Sequence, residues 1–307
     1  MKGSQSLEKV KYSLFVLLGG FSYGLLSTVI KLGFLDGFSI QELVGGQYLF
    51  GWVGLGMVVL LFSRKRVTGK QLLTLLLVGT TMSMTGIFYG YAVEELSASI
   101  AVVFLFQFTW MGVVLEAIIA RTFPSRGKVI AVLILFAGTL LAGGLFEGLA
   151  HNFTIIGIVF GLLAACSFTL FIFVSGRVAT DVPSYTKSFF MTTGAVIIIC
   201  MVFPPTFLAN GVLQSGLWKY ALFLGVFGVV IPTICFAIGT PKVGTGLGTI
   251  LGAIELPTAI VASITLVHEV VSTMQWMGIV LILVGIILPQ FIEMRKAKER
   301  ERLNIAA

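Results

Sequence analysis

The residues best placed to do chemistry in this 307-residue chain are Glu255 and the Leu256 and Pro257 that follow it, mid-way along an apolar stretch from Val243 to Leu266. A stretch of that kind can cross a bilayer, which takes about 20 predominantly apolar residues. A carboxylate near its centre is costly in hydrocarbon, so it turns toward a protein interior or a watery cavity, where it can hold a proton or a cationic group. Pro257 removes a backbone donor and is expected to kink the segment. Gly244, Gly248 and Gly252 recur at helical spacing on the same side, small residues that permit close helix contact. The competing reading of Glu255 is a structural acid hydrogen-bonded to a neighbouring helix.

Polar residues elsewhere in the apolar segments are few, and they complete the candidate set for binding a substrate or ion. They are Tyr23 and Ser27 in the first segment, Gln47, Tyr48 and Trp52 in the second, Gln107 near mid-depth in the fourth and Thr192 in the seventh. Thr81, Thr85 and Tyr89 in the third are spaced by four and so share one helical face. Plainer readings stand beside these. Lys31 snorkels to the interface, Glu42 is solvated at its helix end, the threonines bond their own carbonyls, and Glu116 pairs with Arg121 across little more than a turn. The 26 phenylalanines read as lipid-facing bulk.

Several chemistries are excluded. Cys166, Cys200 and Cys235 fall in apolar runs without metal-like spacing, so no disulfide framework, metal site or cofactor is expected. His268-Glu269 lacks the second histidine of H-E-x-x-H, and neither G-x-S-x-G nor a phosphate-binding G-x-x-x-x-G-K-[ST] occurs. With only His151 and His268, both near outer loops, a buried base is hard to assemble, so an enzyme is not expected. A channel would need rings of charge or filter loops, and neither is evident.

The elements that must position these residues are membrane helices. The chain is 57% hydrophobic and 11% charged, against roughly 25% charged in soluble domains. Ten segments are predicted: Ser13–Leu32, Ile40–Phe62, Leu72–Val93, Ser97–Ala120, Val129–Leu145, Ile155–Ser175, Tyr185–Phe207, Leu217–Gly239, Val243–Leu266 and Met274–Phe291. Taking alternate connections, 18 of the 20 basic residues fall on one side, leaving Lys31 and Lys219 on the other. That bias predicts both termini cytoplasmic and an even helix count, and the expected location is the plasma membrane, as a multi-pass protein. The net charge of +7 therefore resides in short loops and does not indicate nucleic acid. The first segment reads as a retained helix, not a cleaved signal. The basic run from Arg295 to Arg302 reads as a cytoplasmic anchor beside anionic lipid.

A shift of 147 residues lays Leu135–Leu141 on Ile282–Leu288, sets Gly138 opposite Gly285 and puts Phe108 opposite Glu255. Five helices per half is odd, so the second half must enter the membrane from the opposite side. The expected fold is thus an all-α integral membrane protein of ten transmembrane helices in two five-helix inverted-topology repeats, residues 1–148 and 149–307, with any substrate site near the midplane between them.

Glu255-Leu256-Pro257, then His268-Glu269, then Gln275-Trp276-Met277-Gly278 and the Gly285 region resemble the closing pattern of the ten-helix EamA type of the drug/metabolite transporter superfamily. The resemblance covers nearly the whole chain. His268 stands where that family usually has Gly, and in the first half Phe108-Thr109-Trp110 and Arg121-Thr122 replace the corresponding motifs. The resemblance implies a secondary transporter exporting amino acids or related metabolites by alternating access, with proton coupling open. Carriage of amphiphilic or lipid-like compounds is the alternative. A small-molecule substrate and the bilayer are the expected partners; a homodimer is compatible with the sequence but not indicated by it.

Overall fold

The computed structural model describes residues 2–62, 67–95, 98–142, 154–266 and 272–305, and among these it is wholly helical. His151, His268 and Glu269 lie outside the described residues, as does the side chain of Ser27. Ten helical segments follow one another: α1 (Lys2–Leu35), α2 (Ile40–Phe62), α3 (Gly69–Glu95), α4 (Ala98–Leu105 and Phe108–Ala120), α5 (Arg126–Ala142), α6 (Ile155–Ser175), α7 (Ser184–Val202), α8 (Leu213–Val243), α9 (Thr245–Gly252 and Glu255–Leu266) and α10 (Thr273–Ile305). Among the described residues eight helices are long and apolar enough to cross a membrane, and a shorter apolar run, Thr273–Leu288, begins α10.

Helix starts obey a local rule that the segment boundaries alone did not expose. Ser39-x-x-Glu42, Thr68-x-x-Gln71 and Ser272-x-x-Gln275 each form a capping box, the hydroxyl and the acid or amide satisfying each other's orphan backbone donors. Glu42 and Gln275 are thereby committed to the ends of α2 and α10. At α6 the Thr154 hydroxyl accepts from the Gly157 amide at 3.2 Å.

The helices pair as a pseudo-two-fold arrangement requires. Helix α3 packs on α6 and α7, while their counterparts α8, α1 and α2 pack in the same combination. Helices α2 and α7, α4 and α9, and α5 and α10 each pack on their own counterpart. The break in α4 at Phe106–Gln107 recurs in α9 at Ala253–Ile254, and the starts of α5 and α10, Arg126 and Thr273, are also 147 residues apart. The α5–α10 crossing is close: a Cβ on Gly278 would stand 2.3 Å from the Ala142 nitrogen, and one on Gly138 3.0 Å from the Gly278 carbonyl oxygen. A buried core of residues such as Leu55, Leu135, Phe171, Ile199 and Phe236 runs through both halves.

Candidate functional site

The break in α9 sets the position of Glu255. Ala253 and Ile254 donate in tight turns to Ile250 and Leu251, and a new half-helix then begins at Glu255. Pro257 sits in its first turn, and its ring excludes a normal helical bond to the Ala253 carbonyl four residues back. The chain bends there, a full turn before the proline. In α4, which has no proline at the matching place, Gln107 braces the break. Its amide donates to the Val103 carbonyl at 2.9 Å, and its carbonyl accepts from the Trp110 indole at 2.8 Å.

Helix α1 lies directly on the α9 break. A Cβ on Gly20 would come 3.0 Å from the Gly252 carbonyl oxygen, and one on Gly24 only 2.4 Å from the Glu255 carbonyl oxygen. Only bare backbone fits so close. Further along the chain, Gly244 adopts a φ of +85°, which lets α8 turn into α9 within one residue. Of the three glycines grouped with Glu255 by spacing, Gly244 is therefore a turn residue outside the helix, whereas Gly248 and Gly252 are buried in it.

A cavity of about 1070 Å³, its open mouth included, lies between the repeats. It reaches from Phe34, Ile40 and Gly90, at the ends of α1, α2 and α3, inward to Glu255. The mouth thus faces the side of the α1–α2 connection. Tyr23, Gln47, Tyr48, Thr85 and Tyr89 line it together with Glu255, so six of the sequence candidates meet in one space. Among the described residues no hydrogen bond or ion pair reaches the Glu255 carboxylate, which is partly exposed into the cavity. The structural-acid reading, which required a hydrogen-bonded neighbour, lacks that neighbour here.

Three other candidates face elsewhere. The Trp52 indole donates to the Thr193 hydroxyl at 2.9 Å. Thr81 donates to its own Val78 carbonyl at 2.7 Å, while its backbone carbonyl accepts from the Ser167 hydroxyl. Thr192 is fully buried, away from the cavity. Tyr48 both lines the cavity and donates to the Met82 carbonyl at 2.9 Å, fixing its ring against α3.

The cavity wall is mainly apolar and aromatic. Phe106, Phe168 and Phe171 line it, so at least these phenylalanines are not lipid-facing bulk. Phe168 meets Tyr23 edge-on at 5.7 Å and Phe108 at 4.9 Å between ring centroids, with Phe236 behind it at 6.2 Å. Phe108 and Phe236 are fully buried and form the back of the cavity floor. No periodicity marks these rings in the sequence. Phe108 could have been found from the repeat, because it stands 147 residues before Glu255.

Beyond the floor the path is closed by polar ties between the repeats. Glu116 of α4 does not pair with Arg121; it accepts from the Lys128 ammonium at 2.5 Å and from the Gly246 amide, at the start of α9, at 3.2 Å. Arg121 follows the end of α4 in a left-handed conformation and is exposed, which carries its guanidinium away. Arg177 donates to the Thr245 hydroxyl at 2.7 Å, and the Thr249 hydroxyl donates to the Thr109 carbonyl at 3.2 Å. One end of the path is therefore open and the other shut.

No curated protein matches this chain. A solved crystal structure shares the fold with a TM-score of 0.70 at 17% identity, over 91% of this chain and 98% of that one. The EamA-like transporter family matches twice, over residues 10–144 and 155–289. With two matched repeats spanning most of its length, the chain belongs to the EamA-like transporter family.

Proposed function

We propose that this protein is a secondary transporter that exports amino acids or related small metabolites across the plasma membrane by alternating access. The observation that carries the reading is the cavity between the repeats, open at one end and shut at the other, with the Glu255 carboxylate at its inner limit. Glu255 is the charged anchor, taking a substrate ammonium or a proton in exchange for the hydration it lacks in the membrane. Tyr23, Tyr48 and Tyr89 offer ring faces to a cation and hydroxyls to a polar substrate. Pro257 and the α9 break hold the carboxylate at the end of the cavity. The bias of basic residues toward alternate loops supports cytoplasmic termini, and on that reading the mouth faces outward in this state.

The mainly apolar wall supports a second reading, carriage of amphiphilic compounds whose apolar part lies against Phe106, Phe168 and Phe171. Counterflow in proteoliposomes against pools of amino acids, related metabolites and amphiphiles separates the two. Saturable exchange of one class, with its pH dependence flattened or its flux lost in Glu255→Gln, is the expected result. Unchanged flux and pH dependence in that variant would remove Glu255 from the mechanism.

A further inference from the structure

The shut half of the path contains a buried lysine and, near it, hydroxyls without a partner among the described residues. Lys187 is only 2% exposed, in the first turn of α7, and its ammonium donates to the Ser175 carbonyl at the end of α6 at 2.8 Å. One residue on is Ser188, and a turn further Thr192, both fully buried on the interior side of α7. Neither hydroxyl has a partner among the described residues, and the same holds for Thr240, on α8 beside Gly176. Leaving a buried hydroxyl unsatisfied costs about 1–3 kcal/mol, and such groups call for a specific explanation. A lysine near a membrane-helix end ordinarily snorkels toward water, yet Lys187 is buried there with its ammonium turned inward.

The repeat supplies the explanation. Helix α7 is the counterpart of α2, which contributes Gln47 and Tyr48 to the open cavity, and α6 is the counterpart of α1, which contributes Tyr23. In an inverted repeat the shut half opens as the open half shuts, so α6 and α7 then wall a cavity on the other side. We infer that this second cavity holds a binding site for the substrate's anionic group, with Lys187 as its charge and the Ser188 and Thr192 hydroxyls as its donors. The inference rests on the transporter reading and narrows the substrate to compounds bearing a carboxylate or similar anion. The substrate's cationic group meets Glu255 from one side, and its anionic group meets Lys187 from the other. The carboxylate facing Lys187 from its own surroundings is Asp181, which is exposed and already accepts from the Gln71 amide at 3.0 Å. The Arg177 guanidinium, at the same end of α6, is tied to Thr245 and adds to the positive field when that tie breaks.

The plainer role for Lys187 is to cap the end of α6 through the Ser175 carbonyl. The two roles separate in a labelling experiment that needs no substrate. Ser188→Cys and Thr192→Cys are placed singly in a background with Cys166, Cys200 and Cys235 replaced. Each is treated, in proteoliposomes, with a sulfonate-bearing or a trimethylammonium-bearing methanethiosulfonate from the side of the termini. An anion site predicts a ratio of anionic to cationic reagent rates raised on the order of tenfold over the same ratio for a free thiol. That preference should vanish in Lys187→Met and persist in Lys187→Arg. A rate ratio no different from that of a free thiol, a preference indifferent to Lys187, or no reaction with either reagent would each overturn the site. Counterflow then compares a substrate with its carboxamide analogue. Selectivity for the carboxylate, lost in Lys187→Met with Lys187→Arg retaining it, is expected. Exchange by the wild type without such selectivity refutes the anion site alone. Absence of any exchange by folded wild type counts against the transporter reading, while the labelling result still decides the site.

Discussion

Replacing Gly24 by alanine tests whether the crossing of α1 on the α9 break holds the carboxylate in place. A Cβ at Gly24 would stand 2.4 Å from the Glu255 carbonyl oxygen and 2.5 Å from Thr258 Cβ. Both are far inside van der Waals contact, and the first is backbone, which cannot rotate out of the way. To restore ordinary separations the helices must part by about 1 Å, a small-to-large change of the kind that costs roughly 1–3 kcal/mol. The displacement falls on Glu255 itself, at the inner end of the cavity. Gly24→Ala should therefore lower the thermal unfolding midpoint in detergent and also reduce counterflow more than the loss of folded protein explains. Gly69→Ala is the control, since nothing lies within 4 Å of its added methyl and its backbone is helical. That substitution should be neutral or slightly stabilising. A Gly24→Ala protein with the unfolding midpoint and flux of the Gly69→Ala control would refute the crossing as the element that positions Glu255.

Other expectations follow from single contacts. Tyr48→Phe removes the bond to the Met82 carbonyl, which should cost about 1 kcal/mol in unfolding measurements and raise the half-saturation concentration for transport; an unaltered protein on both counts would deny Tyr48 either role. Glu116→Gln weakens the tie to Lys128 and to the start of α9, so a cysteine at Thr109, buried beneath Thr249, should be alkylated faster from the side of the termini. If that rate does not change, the Glu116 cluster is not what shuts this end. Cysteines at the exposed Ser125 and Gln214 should label from opposite faces of oriented vesicles. Same-side labelling would contradict the ten-helix arrangement.

What could be read from the chain divides along a physical line. The apolar segments, the repeat register and the even alternation of basic loops are properties of chain order, because bilayer thickness and loop charge act on each segment separately. The 147-residue shift also relates the breaks in α4 and α9 to each other, although the kink expected at Pro257 falls a turn earlier. The capping boxes were equally legible as local patterns, though Gln275 looked like part of a family motif before it was seen to close one. Pairings were not. Glu116 finds Lys128 and the Gly246 amide in place of Arg121, because the left-handed turn at Arg121 redirects the chain while α9, 130 residues away, brings its amides alongside.

By itself the sequence determined that this is a membrane protein of two repeats with one carboxylate deep in the ninth segment. Each of those facts is set by solvation of a stretch of chain, irrespective of its neighbours. The tertiary structure alone decided that six polar residues from four helices meet in one cavity, and that Phe106, Phe168 and Phe171 line it instead of facing lipid. It likewise decided which end of the path is open. Those outcomes depend on how closely helices can approach, which Gly20 and Gly24 permit at the α9 break. A glycine in the sequence records that permission without saying which backbone will use it.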